Sequence, residues 1–181
     1  MGAIVEWINN LECTAQSPDG SVHSRLAGRK SIEVKLSPTA LREHSENSLA
    51  KQVEVAVHDV LMAYQTAVDK RRYGDRDPVR LAEEGNRFVR RQLEFQKAAV
   101  EVAAVGISKL THVKIDWRGI ADIQVRIKPN TIPRLDGAQL SDEINSGIAA
   151  AARSRSRQIL RLNEQFYGPV PCPTNKSVRH E

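Results

Sequence analysis

Hydrophobic and polar residues alternate in two parts of the chain, and each alternating part is followed by a long helical pattern. In the first part, the alternation predicts three short strands over residues 11–15, 22–27 and 32–36. Residues 17–20 (Ser-Pro-Asp-Gly) favour a turn between the first two strands, and Gly28 favours one before the third. These residues predict an antiparallel meander.

Apolar residues then recur at helical spacing from Leu49 to about Arg72, with Ser45 or Asn47 as the N-cap. A helix of roughly 25 residues is ~37 Å long, so we expect part of it to project beyond the sheet or to pair with another helix. Gly74, Asp77 and Pro78 then predict a helix end and a new helix start.

The helix that starts at Pro78 is predicted to run to about Lys97. Gly85 lies inside it at a cost of about 1 kcal/mol relative to Ala, which close helix packing would explain. Residues 98–107 fit either a strand or a helix, and we expect a strand from about Val100.

The second part of the chain repeats the order of the first. Residues 113–117 and 123–127 alternate on either side of Gly119, and a final helix begins after Asp136 or Ser141 and ends near Gly168. The predicted order is βββα–αβββα, an α+β fold. Residues 168–181 are Pro-rich, and we expect a mobile tail there.

An ungapped shift of 91 positions superimposes the two parts. It places Gly28 on Gly119 and Pro38 on Pro129, and it aligns apolar positions throughout: Leu26 with Trp117, Ile32 with Ile123, Val34 with Val125, Leu36 with Ile127, Leu41 with Ile132, Leu49 with Leu140, Val53 with Ile144 and Val57 with Ile148. Such a run indicates internal duplication. We therefore expect repeats over 1–75 and 76–167 that pack as a pseudo-dimer, bury their sheet faces and close their sheet edges.

Composition restricts the class of protein. Hydrophobic residues make up 40% of the 181 residues, yet no apolar run approaches the ~20 residues of a membrane span, and the N-terminus lacks a signal-peptide pattern. Cys13 and Cys172 form no CxxC or metal-binding pattern, and Cys13 has the position of a small buried thiol. These features predict a reduced, cytoplasmic protein that does not associate with membranes.

The net charge of +5 is unevenly distributed. Residues 1–75 carry nine Lys/Arg and ten Asp/Glu, whereas residues 76–181 carry eighteen and twelve. Arg153, Arg157 and Arg161 are spaced as one stripe on the last helix, and such a stripe neutralises phosphates without reading sequence. The other candidate DNA-binding residues are Arg155, Arg87, Arg90, Arg91, Arg118, Arg29 and Lys30. A solvated basic face is the alternative interpretation of the stripe, and ordinary polar turns are the alternative for Arg118, Arg29 and Lys30.

No catalytic pattern is present in the sequence. The chain has no GxGxxG, GxxxxGK[ST] or GxSxG motif, and its five histidines have no metal-site spacing: His23, His44, His58, His112 and His180. We predict no enzyme activity, no metal and no cofactor. Trp117 occupies an inward-facing position, which favours core packing over base stacking.

The repeat also carries a family resemblance. Residues 113–119, 123–129 and 135–140 form a meander with a glycine at its second turn and then a long helix, and the first part matches through Gly28, residues 32–38, Leu41 and Leu49 but without a leading helix. Over most of residues 11–165, this pattern resembles the YbaB/EbfC-like nucleoid-associated proteins, as a tandem member of actinobacterial type. The resemblance implies a sheet joined from both meanders and helices that protrude to embrace DNA.

Three functional hypotheses follow. The first is a nucleoid-associated protein that binds double-stranded DNA without sequence specificity, alone or as a homodimer. The second is a protein-interaction module, because actinobacterial relatives of the family include proteins tied to type VII secretion. The third is a sheet that binds a small molecule between its halves.

Overall fold

The computed structural model describes residues 2–28, 31–74, 76–85 and 87–168, with side chains from Glu6 onwards. The first repeat comprises α1 (Gly2–Asn10), β1 (Glu12–Gln16), β2 (Val22–Ala27), β3 (Ser31–Leu36), α2 (Ala40–Glu43) and α3 (Glu46–Tyr73). The second comprises α4 (Pro78–Glu83), α5 (Arg87–Val100), β4 (Ala103–Ile107), β5 (Val113–Arg118), β6 (Asp122–Ile127), a 3-10 turn (Ile132–Arg134) and α6 (Gly137–Tyr167).

The α+β prediction is confirmed as two three-stranded antiparallel sheets, each followed by a long helix. The strand orders are β1-β2-β3 and β4-β5-β6. The ambiguous segment does contain a strand, but β4 begins at Ala103, because α5 continues as far as Val100. Two N-caps are also settled: Ser45 Oγ accepts a hydrogen bond from the Ser48 amide, and Asp136 Oδ1 accepts one from the Gln139 amide.

The 91-residue shift is visible in backbone geometry as well as in sequence. The Gly28 amide donates to the Leu11 carbonyl at 2.7 Å, and the Gly119 amide donates to the Val102 carbonyl at 3.1 Å. Both glycines have positive φ, 59° and 60°, a conformation that L side chains rarely adopt. The two hairpins therefore close in the same way, and each glycine is required by its turn.

Two expectations about helices are wrong. The first repeat does have a leading helix, α1, which is only nine residues long and so too short to show a clear apolar period. The predicted helix from Pro78 to Lys97 is broken into α4 and α5. Gly85 lies at the break with φ 91°, and a Cβ there would point into open space, so close packing does not explain this glycine.

The two sheets and the two long helices share one hydrophobic core. α3 packs on β1 and β2 of its own sheet and on β6 of the other, whereas α6 packs on β4, β5 and β3. The fully buried side chains include Leu49, Val53 and Val57 on α3 and Leu140, Ile144 and Ile148 on α6. The expected burial of the apolar face of each sheet is confirmed. α3 contributes no buried residue after Val68, so its last turn projects beyond the core.

Among the described residues, the joined sheet that the resemblance implies is not present, because no ladder connects β1-β2-β3 with β4-β5-β6. Helical side chains cover the inner edges instead. Val34 N donates to Asn145 Oδ1 at 2.7 Å, and Asn145 Nδ2 donates to Val34 O at 3.0 Å. At the equivalent position, Val125 N donates to Glu54 Oε1 at 2.8 Å. Glu54 and Asn145 are themselves 91 residues apart, so each long helix satisfies the open strand of the other repeat.

Candidate nucleic-acid interface

The arginine stripe lies on the half of α6 that extends beyond the core. Ala151 is the last buried residue of this 31-residue helix, and Arg153, Arg157 and Arg161 that follow it are all exposed. At a rise of 1.5 Å per residue, the stripe spans ~12 Å along one face of the helix. The predicted stripe is therefore an accessible surface.

A second set of arginines is held beside the end of α6 by aromatic contacts. The ring centroid of Phe95 on α5 lies 5.8 Å from that of Phe166 and 5.8 Å from that of Tyr167. The Arg91 guanidinium lies 5.5 Å from the centroid of the Tyr167 ring. These contacts fix α5 against the end of α6. Near Phe95, α5 carries three exposed arginines: Arg87, Arg90 and Arg91.

These six arginines make no ion pairs with the described residues. The ion pairs found among the described residues involve other side chains, mostly on the outer sheet faces, as in Arg25–Glu12 and Arg126–Asp116. Arg90 has one other contact, in which Nη2 lies 3.4 Å from the Ala82 carbonyl of α4. We define the basic surface as Arg87, Arg90, Arg91, Arg153, Arg157 and Arg161. None of its six guanidinium groups lies within ion-pair distance of a carboxylate among the described residues.

Arg155 has a different position from the rest of the stripe. Its Nε donates to the Gly119 carbonyl at 2.9 Å, and its guanidinium lies 5.3 Å from the centroid of the Trp117 ring. Burial lowers the pKa of Arg155. Trp117 itself is only 6% exposed, which confirms the core-packing prediction. Arg155 therefore fastens α6 to the β5–β6 turn and does not belong to the basic surface.

The remaining candidates lie on the sheet turns. Arg118 is exposed, but its Nη2 lies 3.8 Å from Glu101 Oε2, an ion pair between exposed groups. Arg29 and Lys30, which follow Gly28 in the sequence, lie outside the described residues, as do Cys172 and the predicted tail from residue 169 onwards. Cys13 is described and is half-buried, with a free thiol whose pKa is raised by burial.

No family model, curated protein or solved structure matches this chain.

Two carboxylates have clear structural tasks. Burial alone would raise the pKa of Asp19, but hydrogen bonds from the Ser21 amide and hydroxyl and from the Ser17 hydroxyl, together with the nearby His44, lower its pKa to about 2. Asp19 thereby holds the β1–β2 turn together and binds His44 at 3.0 Å.

Glu143 performs the corresponding task in the second repeat, from α6. Burial alone would raise the pKa of Glu143, but hydrogen bonds from the Ser108 hydroxyl and from the Leu110 and His112 amides outweigh it and leave the pKa lowered.

Within the described ranges, no group of three or more His, Cys, Asp or Glu side chains is arranged to hold a metal ion. None of the described helices combines the length and apolar character that crossing a membrane requires.

The sequence located the arginines but missed the aromatic contacts that bring two helices together. Phe95 and Phe166 are separated by 71 positions, and only the packing of α5 along α6 brings them into contact. The separation of Arg155 from the stripe did have a signal, because a residue two positions from Arg153 and Arg157 points to the opposite side of a helix.

Proposed function

We propose that this protein binds double-stranded DNA through the phosphate backbone, without reading base sequence, as a nucleoid-associated protein of the cytoplasm. The observation that carries the proposal is the basic surface: six exposed arginines on α5 and α6, none of them paired with a described carboxylate. Guanidinium groups bind phosphate oxygens in bidentate geometry, and they remain charged at every physiological pH.

The number of arginines sets the expected salt dependence. Each phosphate contact contributes about −0.9 to the slope of log affinity against log salt, so six contacts give a slope of about −5. Affinity should then fall by roughly 10³-fold between 50 and 200 mM salt. Duplexes of unrelated sequence should bind with similar affinity, because phosphate contacts carry no sequence information.

The test is fluorescence anisotropy with a short labelled duplex over a salt series. In the variant Arg153→Glu, Arg157→Glu, Arg161→Glu, we expect the slope to become shallower by about 2.7, the contribution of three contacts, and low-salt affinity to fall at least 100-fold. These residues are exposed, so the far-UV circular dichroism spectrum should not change.

A matched control separates a local surface from the effect of net charge. Arg42, Lys128 and Arg134 are also exposed and lie outside α5 and α6. The control variant is Arg42→Glu, Lys128→Glu, Arg134→Glu. Each substitution changes the charge by two units, so both triple variants take the net charge from +5 to −1. The control should retain most of the wild-type affinity and slope. Equal losses in both variants, or a wild-type slope near zero, would contradict the proposal.

A second candidate is a protein-interaction module, associated with secretion and independent of DNA. Phe88 favours it, because this large apolar side chain is 68% exposed on α5. The near-neutral charge of residues 1–75 also favours it, since a symmetric DNA clamp would carry two basic halves. A protein partner that is retained after nuclease treatment and in high salt, and is lost with Phe88→Glu, would support this candidate.

A further inference from the structure

The outer strand β4 has unused backbone hydrogen-bonding groups. The Ser108 amide donates to the Val113 carbonyl and the Gly119 amide to the Val102 carbonyl, so the even-numbered residues of this segment face β5. The backbone groups of Ala103, Val105 and Ile107 therefore point away from the sheet. At the two ends of this edge, Gln158 Nε2 donates to the Ala103 carbonyl at 2.8 Å and the Lys109 amide donates to Ser146 Oγ at 3.1 Å. Between them, the outward-pointing backbone groups of Val105 and Ile107 have no partner among the described residues.

The side chains along this edge are apolar and exposed. Val105 is 50% exposed, Ile107 is 56% exposed and Leu110, just after the strand, is 63% exposed. An open strand edge with exposed β-branched side chains is a template for pairing with another strand, and monomeric proteins usually protect such edges with charge, proline or a covering element. None of these protects the centre of β4.

The first repeat provides an internal control for this observation. The 91-residue shift places Thr14, Gln16 and Asp19 on Val105, Ile107 and Leu110. The first repeat thus has polar residues at all three positions, two of them on the outer strand β1 and Asp19 in the turn that follows it. The fold itself does not require apolar residues there. The second repeat has apolar residues there, at a surface that the described residues leave uncovered.

The sequence of the edge is complementary to itself. If two β4 strands pair antiparallel about Val105, each residue on one side of Val105 faces the residue equally far on the other side of Val105 in the second copy. Val105 then faces Val105, the small Ala103 faces the larger Ile107, and the acidic Glu101 faces the basic Lys109. Glu101 and Lys109 are both exposed, and the contact of Glu101 Oε2 with Arg118 Nη2 of its own chain is long, at 3.8 Å. The same residues whose backbone groups point outward are the ones that form hydrogen-bonded pairs in this register.

The corresponding pairing of β1 has no such complementarity. About Thr14, it would place Glu12 opposite Gln16 and Asn10 opposite Pro18, with no apolar pair and no opposite charges. The charge pairing and the register thus select a second copy of this chain as the occupant of the β4 edge, rather than an arbitrary extended peptide. A symmetric contact of this type is the commonest arrangement of homodimers.

We propose that two copies of this protein associate through antiparallel pairing of β4 with β4, centred on Val105. The β4-β5-β6 sheets of the two chains then form one continuous six-stranded sheet. The dimer carries two basic surfaces, one from each chain, but the pairing does not depend on what those surfaces bind.

Sedimentation equilibrium over a wide range of protein concentration tests the association. The wild-type mass should rise from 20.2 kDa towards twice that value. Val105→Lys places like charges opposite each other at the centre, so its dimer dissociation constant should increase at least about tenfold. Thr14→Lys, at the equivalent position of β1, is the matched control and should associate like wild type. A wild-type protein that remains at 20.2 kDa, or a Val105→Lys variant that associates normally, would overturn the proposal.

Charge exchange and disulfide crosslinking test the register. Glu101→Lys and Lys109→Glu should each weaken the dimer, and the double variant should restore it, because the pair is formed between chains. In a Cys13→Ser, Cys172→Ser background, Val105→Cys should form an intermolecular disulfide, since hydrogen-bonded antiparallel residues have Cα atoms ~5.5 Å apart.

Ile107→Cys serves as the negative control for crosslinking. In the proposed register, its two copies are offset by four residues, roughly 13 Å, which is too far for a disulfide. Efficient crosslinking of Ile107→Cys without crosslinking of Val105→Cys would exclude the proposed pairing, as would a double charge variant that is weaker than both single variants.

Discussion

Substitution of Gly106 by alanine probes a close approach between a helix and a sheet in this protein. Gly106 lies on β4 beneath α6. A methyl group there would collide with the Gly147 carbonyl oxygen and the Ala151 amide nitrogen, and it would lie 2.8 Å from the Ala151 Cβ atom. Two of these three atoms belong to the backbone of α6, so no side chain can rotate to relieve the collision.

The expected cost follows from what would have to move. α6 packs on three strands from both sheets, and Asn145 binds the edge of β3 through two hydrogen bonds. A shift of α6 away from β4 would strain all of these contacts. Overpacking in a core typically costs 1–3 kcal/mol, and this site should lie at or above the upper end because backbone must move. We therefore expect Gly106→Ala to lower the free energy of unfolding by about 3 kcal/mol or more.

Urea unfolding followed by circular dichroism measures this loss as a shift of the midpoint at constant slope. For a chain of this size, 3 kcal/mol corresponds to a decrease in melting temperature of roughly 6–12 °C. Gly137→Ala is the control, because a Cβ at Gly137 would meet no atom within 4 Å. It should be neutral or stabilising by a few tenths of a kcal/mol. A Gly106→Ala loss below 1 kcal/mol would refute the close approach of α6 to β4.

Three further predictions concern the contacts that hold the repeats together. Asn145→Ala leaves the amide and carbonyl of Val34 without their partner, so the free energy of unfolding should fall by about 1–3 kcal/mol in urea titrations; no loss would mean that water replaces the side chain. Arg155→Ala removes the contact with Trp117, so stability should fall by about 1–2 kcal/mol while the salt slope of DNA binding stays unchanged; a shallower slope would place Arg155 on the DNA surface. The Asp19 pKa of about 2 lies below its unfolded value of about 3.9, so this carboxylate stabilises the fold above pH 4 and loses that effect as pH falls towards 2. Asp19→Asn should therefore flatten the dependence of the urea midpoint on pH in that window, and an unchanged profile would contradict the assignment.

The sequence predicted the strands and the long helices because both follow from local periodicity. The 91-residue shift also revealed the repeat, since it preserves Gly28 and Gly119 at turns that demand positive φ. Local patterns could not show how the edges close. The edges close because Glu54 and Asn145 reach strands of the opposite repeat. In the helical patterns of α3 and α6, nothing distinguishes these two residues from other polar positions.

The candidate site was predictable to a similar extent. The spacing of Arg153, Arg157 and Arg161 identified an exposed face, and the fold confirms that this face lies beyond the core. The contribution of α5 was predicted as a charge cluster, but its position beside α6 depends on Phe95 and Tyr167. Side chains brought together by tertiary packing leave no periodic signal in either helix.

Covalent linkage of the two repeats explains why equivalent positions differ. In a homodimer, one residue must serve both edges, whereas here each edge has its own. Asn145 both donates and accepts, and it binds the carbonyl and the amide of Val34. Glu54 can only accept, so it binds the Val125 amide with one oxygen, and its other oxygen lies 2.6 Å from Lys51 Nζ. The same freedom permits a glycine at position 106, where the first repeat has Ala15, and so allows α6 to approach its sheet more closely than an alanine would permit.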